Sequence, residues 1–257
     1  MSRPDAPGGD DRARGAADPA TAASTETAGS SAATAALDTG GPATASSRRP
    51  AALVIARSPS SAPVKPELAP LLAAERRAAL QALLIRRAAD WAAAAAPGAA
   101  FVAVEGPLDD IAALLPPGVS AFAQERGEPA AVLAAAIARI GRGPLVIVGT
   151  DCPRLGAGHA TAAFADLAAG SDVVIGATLE GGWYLAGLRE PRSELLAVVP
   201  EAWQREGGIA LVLRRAAELG AEVGMLRHER LLVTPADAAA MLADPLLPAD
   251  LRAALSP

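Results

Sequence analysis

Apolar positions along the chain follow two rhythms. Short aliphatic runs at 52–56, 101–105, 119–122, 145–149, 172–175, 183–187 and 223–226 alternate with longer stretches in which apolar residues recur every three or four positions. The first rhythm has the length and branching of buried strands, and the second that of helices with one apolar face. Helical spacing covers 68–96, with Arg76, Arg77, Arg86 and Arg87 on the other faces, then 109–115, 129–140, 159–168 and 209–219. Pro116-Pro117-Gly118 stops the second of these, and Gly141 ends the third. Strands that alternate with crossover helices predict an α/β fold: a Rossmann-like, mixed but mostly parallel sheet of six or seven strands flanked by helices.

Composition divides the chain. Residues 1–50 are rich in Ala, Ser, Thr, Gly, Pro and Asp, with almost no branched aliphatics and no aromatics. Such a segment cannot bury enough apolar surface to offset its ordering entropy, which predicts a disordered, passive tail ahead of one domain at 51–257. It lacks the apolar core of a secretory signal, and its scattered acids, among them Asp5, Asp10, Asp11 and Asp18, argue against an organelle presequence. The remainder is rich in Ala, Leu and Val, yet no run reaches the roughly 18–20 apolar residues of a membrane span. A net charge of −5 gives no basic footprint for nucleic acid, and two histidines give no cluster for zinc. Cys152 is the only cysteine, which excludes an intramolecular disulfide and fits a reducing, cytoplasmic setting. Nothing in the sequence sets the oligomeric state.

In such a fold chemistry collects at the carboxyl ends of strands, where loops and helix N-termini meet anions. Two segments belong there. The run 144–149 leads straight into Thr150-Asp151-Cys152-Pro153. Asp151 is then either a hard oxygen ligand for Mg²⁺ or Mn²⁺ or the cap of the turn that follows. The second segment is Glu180-Gly181-Gly182-Trp183-Tyr184, in which paired glycines either admit a ligand close to the backbone or serve a hairpin turn. Strand alternation sends Trp183 and Tyr184 to opposite faces, where one could stack on a base or sugar or both could fill the core.

Together these segments resemble the bacterial glycosyltransferase-like proteins associated with arsenosugar biosynthesis, in the nucleotide-diphospho-sugar transferase (GT-A) superfamily. Phospholactate and molybdenum-cofactor guanylyltransferases are similar at greater distance. The resemblance rests on Gly149-Thr-Asp151-Cys-Pro-Arg-Leu155, Ala163-Phe164-Ala-Asp-Leu167, Gly176, and the stretch from Glu180 to Leu188, and it spans about 51–237. It implies a GT-A fold and a divalent ion that assists a departing phosphate. It also implies a nucleotide sugar or nucleotide as one partner and a small-molecule acceptor as the other. Carried onto this chain, Asp151 holds the metal and Arg57 and Lys65 meet phosphates. Gly181, Gly182, Trp183 and Tyr184 contact substrate, and Glu180 positions a hydroxyl or acts as base.

Two departures bear on that chemistry. The family's basic loop after the first strand here reads from Arg57 through Lys65 to Leu68, with Ala62 in place of a glycine and Pro63 and Glu67 in place of arginines. Losing two cations and gaining an anion opposes polyphosphate binding. An acidic pair near the C-terminus is replaced by Leu231 and Val233, while Thr234-Pro235-Ala-Asp237 persists and predicts a helix capped by Thr234. The sequence therefore ranks sugar transfer from a nucleotide sugar first. Guanylyltransferase-like nucleotidyl transfer and a catalytically inactive binding domain are the alternatives. Cys152 is expected to be a small buried residue, Trp203 a packing residue, and His228-Glu229 a solvated loop pair.

Overall fold

The computed structural model describes residues 49–191, 193–196 and 207–256. All but the last two residues of the expected tail fall outside that range, as does Trp203. Strand β1 (Ala51–Arg57) is followed by a 3₁₀ turn (Pro66–Leu68), α1 (Ala74–Ala95), β2 (Ala100–Glu105), α2 (Asp109–Ala112), β3 (Val119–Ala123) and α3 (Pro129–Ile140). Then come β4 (Leu145–Val148), α4 (Ala157–Ala169), the hairpin β5 (Val173–Thr178) and β6 (Trp183–Leu188), and a helical turn α5 (Ser193–Leu196). Helix α6 (Gly208–Glu218), β7 (Val223–Glu229), α7 (Pro235–Leu242) and α8 (Ala249–Leu255) complete the domain.

Seven strands form one sheet in the order β3-β2-β1-β4-β6-β5-β7, with β6 antiparallel to its neighbours and the other pairings parallel. The expected mixed, mostly parallel sheet is the one observed. Alternation splits its side chains between two covered faces. Ala52, Val54 and Ala56 point toward α1 and α4, whereas Leu53 and Ile147 point toward α3. A third apolar cluster ties the 3₁₀ turn and α1 to α7 and α8 through Leu68, Leu80, Leu232, Met241 and Leu251. That cluster holds the C-terminal helices beside the loop that follows β1.

Three boundaries differ from the periodicity. The pattern at 68–96 is broken between the 3₁₀ turn and α1, where Pro70 has no N–H to donate. Helix α8 has only seven residues, too short to show a helical period. Strand β7 continues through Arg227, His228 and Glu229 because it is an edge strand, paired on one side with β5, whose polar residues can face solvent.

Candidate active site

The loop after β1 is held by serines. Ser58 is buried, its amide donates to Glu105 O, and its hydroxyl lies 2.6 Å from Asp110 Oδ2; Ser60 donates to the same oxygen. Hydrogen bonds from Ser58 and then Ser60 hold the Asp110 carboxyl below the ordinary carboxylate range. The loop ends at Lys65, the one non-glycine residue with positive φ among the described residues (φ 42°, ψ 57°). From there the Lys65 side chain, 7% exposed, places Nζ 2.8 Å from Asp151 Oδ1 and 3.3 Å from Leu232 O. Asp151 follows β4 and is fixed in turn: its carbonyl accepts from Leu232 N at 2.7 Å, and its Oδ1 accepts from Thr150 Oγ1 at 3.1 Å. Gln81 of α1 donates to Arg57 O, which ties the end of β1 to the helix behind it.

Three cavities meet at Arg57, whose exposed guanidinium donates to Glu105 at 3.0 Å. One, of about 200 Å³, contains Asp151, Tyr184 and Leu231. A second, of about 260 Å³, contains Lys65, Glu67, Thr150 and Asp151. The third is a groove of about 880 Å³ across the carboxyl ends of β1, β2 and β3, lined by Ile55, Glu105, Gln124, Glu125, Arg126 and Leu133 among others. This groove has no motif in the sequence that marks it. Its only signal was the polar stretch Gln124-Glu-Arg-Gly127 between a strand and the Pro129 helix start. Gln124 Nε2 donates to Ala56 O at 3.1 Å and Ala103 O at 2.9 Å, which fixes the amide and leaves Oε1 to offer a ligand. A further cavity of about 460 Å³ lies between α1 and α4, on the other side of Thr150 and Cys152.

Of the second segment, Glu180 to Tyr184, only Tyr184 lines these cavities. Glu180 is exposed, lies 3.6 Å from Arg230, and lines none of these cavities. Gly181 and Gly182 build the hairpin instead. Gly181 sits at φ 88°, and Gly182 N donates to Thr178 Oγ1 at 2.9 Å. Trp183 is fully buried against the α3 side of the sheet and is a core residue, not a stacking platform. Tyr184 faces the opposite side, as alternation predicts. Its ring lies over Gly176, where a Cβ would come within 2.5 Å of it, and its hydroxyl donates to Arg227 O. The residue is 1% exposed and lines the Asp151 cavity.

Glu229, expected in a solvated loop, is buried. One carboxylate oxygen takes Arg227 Nε at 2.9 Å and His159 Nε2 at 3.2 Å, and the other lies 3.8 Å from Arg154 Nε. Gly156 N donates to His159 Nδ1 at 3.0 Å, and His159 Nε2 lies 3.2 Å from both Glu229 Oε1 and Arg227 Nε. This cluster fastens the loop after β4 to the end of β7. Cys152, between it and Asp151, is buried; burial first, then Glu229, pushes its thiol up to about 12, the inert role expected for it.

A divalent cation needs several oxygen ligands, six in an octahedron for Mg²⁺ with waters and substrate phosphates included. Asp151 Oδ1 already carries an ammonium, Leu231 and Val233 are aliphatic, and Glu229 is engaged by cationic and imidazole partners. Among the described residues no group of three or more His, Cys, Asp or Glu side chains could hold a metal ion. The residues present do not fit the Mg²⁺ or Mn²⁺ site expected at Asp151.

Residues 88–202 match the family model of an uncharacterized protein conserved in bacteria (DUF2064), a match that includes Asp151 and leaves out Arg57 and Lys65. No curated protein matches the sequence. A solved structure assigned as a nucleotide-diphospho-sugar transferase from Desulfovibrio desulfuricans G20 superposes with a TM-score of 0.62 at 19% identity, covering 80% of this chain and 93% of the other. The 4-diphosphocytidyl-2C-methyl-D-erythritol synthase of Anaerococcus prevotii DSM 20548 gives a TM-score of 0.48 at 8% identity, covering 74% and 95%. The fold is that of the nucleotide-diphospho-sugar transferases. No helix among the described residues is long and apolar enough to cross a membrane.

Proposed function

We propose that this domain is a transferase that takes a nucleotide sugar as donor, with the nucleoside in the groove across β1, β2 and β3 and the diphosphate at Arg57 and Lys65. The observation that carries this reading is the continuity of the groove, through Arg57, with the cavities that hold Lys65 and Asp151. A groove of about 880 Å³ is of the size that takes small ligands and cofactors. Its position at the strand carboxyl ends is where such sheets bind them. The fixed Gln124 amide offers Oε1 to a base N–H, while Arg57 and Arg126 offer charge-assisted bonds to phosphate.

Nucleotidyl transfer ranks second, because a triphosphate would bring more negative charge to the same few cations, with Glu67 and Glu105 close by. The resemblance to arsenosugar proteins is compatible with the sugar reading and adds no acceptor of its own. A thermal-shift panel of nucleotide sugars and nucleoside triphosphates decides between them. At a hundred times Kd a ligand adds about 2.7 kcal/mol. In a domain of this size that raises Tm by roughly 5–10 °C. The expected result is such a shift for one nucleotide sugar, lost in Arg57→Ala. A panel without shifts, on protein that unfolds cooperatively, would instead support an inactive binding domain.

A further inference from the structure

Lys65 is the only lysine in the chain; apart from the two histidines and the amino terminus, every other basic group is an arginine. That single exception is placed with care. Its backbone is in the left-handed region, a conformation that non-glycine residues adopt at some cost and that clusters at functional sites. Its ammonium is withdrawn from solvent, with one donor on Asp151 Oδ1 and another on Leu232 O. The third N–H has no acceptor among the described residues and remains for an oxygen in the cavity shared by Arg57, Glu67 and Thr150. An ammonium is a compact point charge with three donors, whereas a guanidinium is a wide planar fork. Of the two, the ammonium is the nearer stand-in for a small cation held between a carboxylate, a carbonyl and a ligand oxygen.

The surroundings agree. The carboxylate that would anchor a divalent ion is already neutralised, and Leu231 and Val233 bring apolar surface to the cavities beside it. We infer that the Lys65 ammonium, seated on Asp151, takes the place of a divalent metal ion at this site and meets the ligand phosphate directly, so that phosphate-bearing ligands bind without metal. This rests on the reading of the groove as a nucleotide site, and it names the cation that such a site uses.

The experiment has two arms on the full chain. In the first, Mn²⁺ alone is titrated into wild type and Asp151→Asn and followed by electron paramagnetic resonance, with no nucleotide present. Equal retention of the free-ion signal by both proteins is expected; submillimolar binding by wild type that is lost in Asp151→Asn would overturn the inference. In the second, the affinity of UDP-glucose, GDP-mannose and the corresponding diphosphates is measured in EDTA and again in Mn²⁺. The expected result is the same affinity in both, at least tenfold weaker in Lys65→Met and in Lys65→Arg. A requirement for Mn²⁺ would overturn it. Should no nucleotide bind under either condition, the functional reading fails, and the Mn²⁺ titration still judges the lysine. That first arm uses no lysine variant, so a Lys65 substitution that fails to fold leaves the test intact.

Discussion

The ammonium of Lys65 lies 2.8 Å from the carboxylate of Asp151, joining the loop after β1 to the loop after β4 across 86 positions of sequence. The pair is asymmetric, since the lysine side chain is 7% exposed and the aspartate 26%. Removing the aspartate strands a buried cation, whereas removing the lysine leaves a carboxylate that water and Thr150 still reach. Breaking a fully buried pair costs about 3–5 kcal/mol, and the partial exposure here lowers the expectation for Asp151→Ala to about 2–3 kcal/mol. Lys65→Met should cost about 1 kcal/mol. Urea unfolding of the two variants checks the order; equal losses would show that the ammonium is solvated.

The cap at Thr234 carries a pH signature. Burial pushes Asp237 up, but hydrogen bonds from the Thr234 amide and hydroxyl, from Arg230 and from the Val233 amide outweigh it and leave the carboxyl below its ordinary value. A folded value below that of the unfolded chain, about 3.9, contributes stability that is fully present above pH ~4 and is lost as pH falls through the folded value. Thr234→Ala should cost about 1 kcal/mol near neutrality. Asp237→Asn should flatten the acid side of the stability profile between pH 5 and pH 3. An unchanged acid slope in that variant would remove Asp237 from the account.

Much of this was visible in sequence because strand and helix periods differ. Aliphatic runs marked all seven strands, and the Thr234-Pro235 signal marked α7 with its cap. What escaped depends on neighbours that are remote in the chain. Glu229 looks like loop until the β5 pairing and the α4 histidine are known. The groove at β3 is made by strand ends and one glutamine whose donors are taken by Ala56 and Ala103, and no local motif encodes that. The segment from Glu180 to Gly182 is ambiguous in sequence, because a glycine pair after an acid has the same local pattern in a turn as in a substrate loop.

Gly176 is required by Tyr184 rather than by a turn. A methyl group added there would sit 2.5 Å from Tyr184 Cζ and 2.7 Å from Cε1, on a ring that also makes a T-shaped contact with His159. Gly176→Ala is expected to destabilise by about 1–3 kcal/mol through overpacking. Gly176→Ala combined with Tyr184→Leu should recover part of that loss in thermal unfolding. Full additivity of the two changes would mean that the contact is not the cause.

Cys152 offers a probe of burial in the same region. With its thiol pushed up to about 12, the thiolate fraction at pH 8 is on the order of 10⁻⁴. Ellman's reagent should therefore label native protein orders of magnitude more slowly than protein in urea, and the native rate should still be rising at pH 9. Rapid labelling of folded protein would show that the loop after β4 opens.

The most direct test is the crystal structure of the domain with the nucleotide sugar that gives the largest thermal shift. The expected result is the base over β1, β2 and β3 with a donor on Gln124 Oε1, and the diphosphate between Arg57 and Lys65. A nucleotide lodged in the cavity between α1 and α4, or at the hairpin around Glu180, would contradict it.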